Sequence, residues 1–129
     1  MDLTRVEAQR MKDVWFDAFP ETRGYMKNEN GQVTTLTGRK RGNTTYCAEK
    51  NTPFQGLSAD GAKLALYNLD REGFKVVGFV HDEIICEVST EEAQQKLVIQ
   101  ERIMIDSMRS VIPDIRISVD SMISERYCK

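Results

Sequence analysis

Histidine is the scarcest catalytic resource in this chain: His81 is the only one in 129 residues. A serine–histidine–acid triad would have to form around that one position, and no Gly-x-Ser-x-Gly elbow accompanies it. The three cysteines, Cys47, Cys86 and Cys128, include no Cys-x-x-Cys pair. That argues against a disulfide framework or a zinc knuckle and fits a reducing, cytoplasmic compartment. No Walker loop is present. Long apolar runs are missing too. The longest that matters, Val76-Val77-Gly78-Phe79-Val80, is far short of a membrane span, so no membrane partner is expected. The charged N-terminus (Asp2, Arg5, Glu7, Arg10) is not a secretory signal. Charge of one sign is also lacking: 18 basic residues face 20 acidic ones, for a net charge of -2. A protein that coats nucleic acid with its whole surface needs a large positive excess, which leaves only a local basic patch possible here.

What is present is ordinary for a soluble globular domain. Apolar residues make up 40% and charged residues 29% of the chain, too apolar for disorder and enough for one modest core. No repeat, low-complexity stretch or linker interrupts it.

Periodicity and punctuation give the elements. Thr4 and Glu7 have capping-box spacing, and Met11, Val14, Trp15, Ala18 and Phe19 share one face of the helix that follows, up to Pro20. A short second helix is expected from Glu21 to about Lys27, ended by Asn28, Asn30 and Gly31. Gln32 to Thr37 reads as a strand. Gly38-Arg39-Lys40-Arg41-Gly42-Asn43 reads as a basic, glycine-flanked loop. Thr52-Pro53-Phe54-Gln55 reads as a helix start, with Thr52 as N-cap, Pro53 at the first position and Gln55 as the capping-box partner. That helix should run to about Arg71, with Gly73 just beyond it. Phe74–Val80 and Glu83–Val88 form a hairpin around His81-Asp82. Ser89 and Glu92 predict the start of a helix that reaches about Val111, before Pro113. Ile115, Ile117 and Val119 alternate with polar residues as a last strand. A hairpin with long helices beside it makes the fold class α+β rather than a doubly wound parallel sheet.

Three signals could carry chemistry. At the hairpin tip, tight turns favour Asn-Gly or Asp-Gly because positive φ is needed. Here His81-Asp82 is followed at once by Glu83, so two acids and the only histidine end an apolar ribbon. This is either a functional site or a polar turn facing water. In extended geometry Asp82 and Glu83 point to opposite faces, so they would not hold one metal in the same way. The second signal is Arg39-Lys40-Arg41. From Gly38 to Lys63 five basic residues outnumber two acidic ones, and from Asp82 to Asp106 seven acids outnumber two bases. The basic run suits phosphate contacts or a solvated loop. The third is Gln55, whose amide either closes the capping box or reaches a base edge. Asn51, just before it, fits a turn equally well.

Together these residues resemble the family A DNA polymerases, the DNA polymerase I family. Asn51-Thr-Pro-Phe-Gln55-Gly-Leu-Ser-Ala-Asp60-Gly-Ala-Lys63 resembles the family's palm helix. Val80-His81-Asp82-Glu83-Ile84 resembles motif C, the palm hairpin that carries a catalytic aspartate. Thr35-Leu36-Thr37-Gly38-Arg39-Lys40-Arg41 resembles the segment that precedes the palm helix. Order and rough spacing agree over nearly the whole chain, and the wording from Asn51 to Gly56 looks phage-like.

The resemblance implies roles residue by residue. Asp82 would be the motif C carboxylate and a magnesium ligand, with Glu83 as its supporting neighbour near the primer end. His81 would contact the primer-terminal nucleotide. Gln55 and Asn51 would touch the minor groove, whose acceptors are similar for every base pair. Arg39 and Arg41 would lie near duplex backbone. Cys47 departs from the pattern, since many relatives place there an arginine that helps hold primer-template. Asp60 and Asp120 are weighed as a second metal carboxylate and set aside, Asp60 as structural and Asp120 as part of the last strand. The family's motifs A and B are absent.

The expectation is therefore a C-terminal portion or split subunit, with the end of the fingers region over about 1–30 and palm over about 31–129. It would be inactive alone and would work on primer-template DNA and dNTP. The Mg2+ site would be completed by a carboxylate outside this chain, on an N-terminal polymerase fragment carrying motifs A and B. The initial methionine fits a split-gene subunit in a bacterial cell or phage-infected host, or an excised piece. Half a palm should expose a strand edge and an apolar helix face, and should self-associate when alone. The alternatives are a non-catalytic DNA-binding remnant of a decayed phage polymerase gene and an unrelated metal-dependent nuclease using Asp82 and Glu83.

Overall fold

The computed structural model describes residues 3–27 and 31–127. The helix-ending residues Asn28 and Asn30 fall outside them. Helix α1 (Arg5–Ala18) begins at a complete capping box: the Thr4 hydroxyl accepts from the Glu7 N–H, and Glu7 reaches back to the Thr4 N–H. Pro20 opens α2 (Pro20–Lys27), where its missing N–H is no loss. No residue of α1 or α2 is buried, so the apolar face of α1 lies open.

The basic segment differs from expectation. It is not a loop: β2 (Lys40–Gly42) pairs antiparallel with β1 (Gln32–Thr34), setting Val33 opposite Arg41. The strand expected to Thr37 stops at Thr34 because Thr35–Gly38 turns, with the Gly38 N–H donating to the Thr35 carbonyl and Gly38 at φ +85°.

The long helix α3 (Tyr46–Arg71) also corrects the sequence reading. It begins well before Thr52, at Thr45, whose hydroxyl accepts from the Ala48 N–H. Thr52 is therefore not a cap. It lies buried inside the helix and donates to the Ala48 carbonyl at 2.6 Å. Gln55 closes no capping box. Pro53 sits in the second turn, where it contributes no backbone N–H to the helix. Glu49 and Lys50, both buried, tie the preceding elements to α3: Glu49 accepts from the Gly31 N–H at 2.9 Å, and Tyr25 donates to the Lys50 carbonyl at 2.6 Å.

Strands β3 (Lys75–Val80) and β4 (Glu83–Glu87) form the expected hairpin, with a register irregularity between Val76 and Gly78. Helix α4 (Ala93–Val111) starts later than expected. The Ser89 hydroxyl bonds the Glu92 carboxylate rather than a backbone N–H, so residues 89–92 make a turn instead of a cap. Its end before Pro113 is as read. The expected last strand does not form: Ile115–Val119 runs without regular structure. Alternation sets which side chains share a face, but a strand also needs a neighbour to pair with.

The core sits where α3 and α4 cross the β3–β4 hairpin. Ala65, Leu69, Phe74 and Ile84 are buried, with Leu69 fully enclosed, and Ile99, Ile103 and Met104 of α4 pack on them. This α+β core fixes the hairpin against the helices and leaves its tip in solvent.

Candidate functional site

The hairpin tip is held from beneath. Ile84, one residue past the tip, is buried against α3, and the Gln100 amide of α4 donates to its carbonyl at 3.0 Å. His81 takes φ +58°, the left-handed geometry that a two-residue turn demands and that a non-glycine residue resists. His81, Asp82 and Glu83 are all exposed. Among the described residues no hydrogen bond or ion pair engages Asp82, so its carboxylate is available to an outside group. Glu83 accepts from the Tyr127 hydroxyl at 3.3 Å. The two adjacent acids thus stand in different settings.

Gln55 shares an open groove of about 1300 Å³ with His81, Asp82 and Glu83, and residues of the C-terminal segment line it as well. Asp120 lines it too, as an exposed residue of that irregular segment. Asn51 does not line the groove, but the earlier start of α3 places it in regular helix. Cys47, Asn51 and Gln55 then fall four residues apart on one stripe, and all three are exposed.

A neighbouring stripe, Thr52, Gly56 and Asp60, receives the β1–β2 hairpin. Arg41 donates from Nη1 to the Thr52 hydroxyl at 3.1 Å. A Cβ on Gly56 would stand 2.8 Å from the Thr35 methyl, so only glycine lets the turn approach this closely. Asp60 accepts from the Thr37 hydroxyl and from both Nε and Nη2 of Arg39. The Arg39 and Thr37 hydrogen bonds hold the Asp60 carboxyl below the usual carboxylate range. Arg39, expected near duplex backbone, is thus bound to α3. The sequence had the signal for this, an acid and a basic run on adjacent elements, but not the register that pairs them.

Among the described residues no cluster of three or more His, Cys, Asp or Glu side chains could hold a metal ion, and no helix is long and apolar enough to cross a membrane. The donor set at the tip fits one ligand position rather than a whole metal site.

An exposed carboxylate at a hairpin tip thus shares a groove with Gln55 of α3, the helix on which the basic hairpin docks. Comparison with known proteins is more specific. The model of the family described as DNA polymerase family A matches residues 1–129. DNA polymerase I of Aquifex aeolicus (strain VF5) is 33% identical over 143 aligned positions, covering 100% of this chain and 25% of that protein. DNA polymerase I of Lactococcus lactis subsp. lactis (strain IL1403) is 29% identical, covering 88% of this chain and 16% of its own length. DNA polymerase I of Geobacillus stearothermophilus is 33% identical, covering 74% and 14% respectively. The chain belongs to DNA polymerase family A, and it spans a quarter or less of these relatives.

Proposed function

We propose that this chain supplies the C-terminal part of a DNA-directed DNA polymerase and is inactive without the remainder. One observation carries the reading: Gln55 of α3 and the tip residues His81, Asp82 and Glu83 line the same groove. Asp82 is the metal-binding carboxylate of motif C, and a carboxylate from outside the chain completes the Mg2+ site. Bound there, two such ions would polarise the attacking and leaving oxygens of nucleotidyl transfer.

The chain's own residues position the primer-template. Ile84 and Gln100 fix the tip, so Asp82 is presented without reorganisation. Glu83, steadied by Tyr127, supports the primer end, and His81 meets the terminal nucleotide. Gln55 and Asn51 offer amides to minor-groove acceptors, which suits an enzyme that accepts any sequence. The basic hairpin faces duplex backbone. Residues up to about 30 end the fingers region and about 31–129 belong to the palm. The Asn51–Gly56 wording supports a phage-type origin.

The test is reassembly. Mixed with an N-terminal fragment carrying motifs A and B, the chain should restore Mg2+-dependent primer extension from dNTP. Asp82→Ala should still form the complex but lose extension by at least about a hundredfold, as removal of a charge-stabilising group does elsewhere. An intact complex in which Asp82→Ala extends primers like the wild type would overturn the site. A complex that never extends would favour the non-catalytic remnant.

A further inference from the structure

The basic run has three cations, and the structure uses them differently. The Arg39 guanidinium is committed to Asp60 through two nitrogens, and its backbone N–H donates to the Thr35 hydroxyl at 3.2 Å. A guanidinium bound side-on to a carboxylate keeps only its other edge for a phosphate, and its charge is already offset. Among the described residues Arg41 donates through Nη1 alone, to Thr52. Lys40 lies between them on β2, where alternate side chains leave opposite faces. Among the described residues no hydrogen bond or ion pair engages Lys40. Asp60 also poses an electrostatic problem, since a carboxylate five residues beyond Gln55 on α3 would repel nucleic acid unless a cation neutralised it.

We propose that Arg39 and Asp60 are a positioning pair: they hold the basic hairpin on α3, cancel each other's charge, and leave Lys40, on the opposite face of β2, to meet the duplex backbone. The inference rests on the DNA-binding reading above and adds a division of labour within it. Asp60 acts through Arg39 and Thr37, never on DNA itself. Arg39 acts through Asp60. The Thr52–Gly56–Asp60 stripe fixes the hairpin's register along the helix, while the adjacent Cys47–Asn51–Gln55 stripe stays open.

The test uses the full 129-residue chain and a fluorescein-labelled primer-template duplex, titrated over a series of salt concentrations. Asp60→Asn is the discriminating variant, because it removes a negative charge while keeping the side-chain shape. Simple electrostatics predicts tighter binding, whereas a positioning role predicts binding weaker by about two- to fivefold, the scale of partly exposed ion pairs. Arg39→Ala and Asp60→Ala should each weaken binding to a similar degree, and the double variant no further, because the two act as a unit. Lys40→Gln should lower the slope of log affinity against log salt by about 0.9, one phosphate contact, with an unchanged melting temperature.

Asp60→Asn binding as tightly as wild type or tighter would overturn the proposal. So would an Arg39→Ala loss that adds to that of Asp60→Ala, or a Lys40→Gln slope equal to wild type. Circular dichroism of each variant separates lost binding from lost fold, and Lys40→Gln, on an exposed strand position, keeps the test decisive should Arg39→Ala unfold. A wild-type chain with no salt-sensitive duplex binding would instead defeat the DNA reading itself, before any variant is compared.

Discussion

A Cβ placed on Gly61 would lie 2.4 Å from the Met108 sulfur and 3.4 Å from the Met108 Cα. Gly61 is therefore a point of close approach between α3 and α4, and the Asn68 amide donating to the Ser107 hydroxyl at 2.9 Å marks the same interface further along. Helix propensity alone would favour alanine at Gly61 by about 1 kcal/mol. Overpacking costs about 1–3 kcal/mol: the Met108 thioether, at 2.4 Å, would have to leave its place between the helices, while the Met108 Cα at 3.4 Å is an ordinary contact. Gly61→Ala should thus destabilise the chain by roughly 1 kcal/mol. Gly24 in α2 has nothing within 4 Å of its would-be Cβ, so Gly24→Ala should stabilise instead. Paired thermal melts read both signs, and a Gly61→Ala chain melting above wild type would defeat the packing argument.

The parts of this fold that sequence revealed are those decided locally. The Thr4–Glu7 capping box lies within one turn, and the two-residue gap at His81-Asp82 fixes its hairpin whatever surrounds it. Local signals also misled. Thr52-Pro53-Phe54-Gln55 has every feature of a helix start, yet Thr45 caps the helix earlier with no glutamate at its third position to reveal it. That shift matters for the site, because it moves Asn51 from a turn onto a helix stripe with Gln55. The alternation of Ile115, Ile117 and Val119 could not disclose whether a partner strand stands beside them. The Arg39–Asp60 pair depends on how a hairpin docks on a helix, which no short window contains.

That pair sets a pH dependence. The Asp60 carboxyl titrates below its ordinary value, chiefly because of the Arg39 and then the Thr37 hydrogen bonds, which outweigh the opposing effect of burial. A carboxyl depressed in the folded state contributes stability that is fully present above its unfolded pKa and is lost as pH falls through its folded one. The melting-temperature advantage of wild type over Asp60→Asn should therefore hold steady through neutral and mildly acidic pH. It should shrink below the usual carboxylate range. An advantage that instead grows on acidification would contradict the assigned hydrogen bonds.

The open face of α1 supplies a reporter for the proposed assembly. Trp15 is the only tryptophan and is 48% exposed, with Phe19 against its ring and Met11 and Val14 exposed beside it. Such a face is costly to leave in water, and under the proposed function it would be covered by the rest of the polymerase. Adding an N-terminal fragment carrying motifs A and B should shift Trp15 emission to the blue and reduce its quenching by iodide. Trp15→Ala should weaken assembly by several-fold without changing extension at saturating partner, because the residue lies outside the groove. Unchanged emission in a complex that extends primers would place the interface elsewhere.

Cys47 offers the sharpest test of the open α3 stripe. It is exposed, four residues before Asn51 and eight before Gln55, and so stands at one end of the face proposed to meet the minor groove. A thiol there contributes no charge. An arginine at the same position would reach from the first turn of the helix towards the backbone of any duplex lying along that stripe. Cys47→Arg should therefore tighten duplex binding and steepen its salt dependence by about 0.9, the signature of one added phosphate contact. Arginine has ample helix propensity, so the fold should tolerate it. An equal gain from an arginine at exposed Tyr67, further along α3 and away from the stripe, would reduce the effect to net charge. A gain confined to Cys47→Arg would instead show that DNA runs along Cys47, Asn51 and Gln55, because only a cation on that line can meet the backbone at close range.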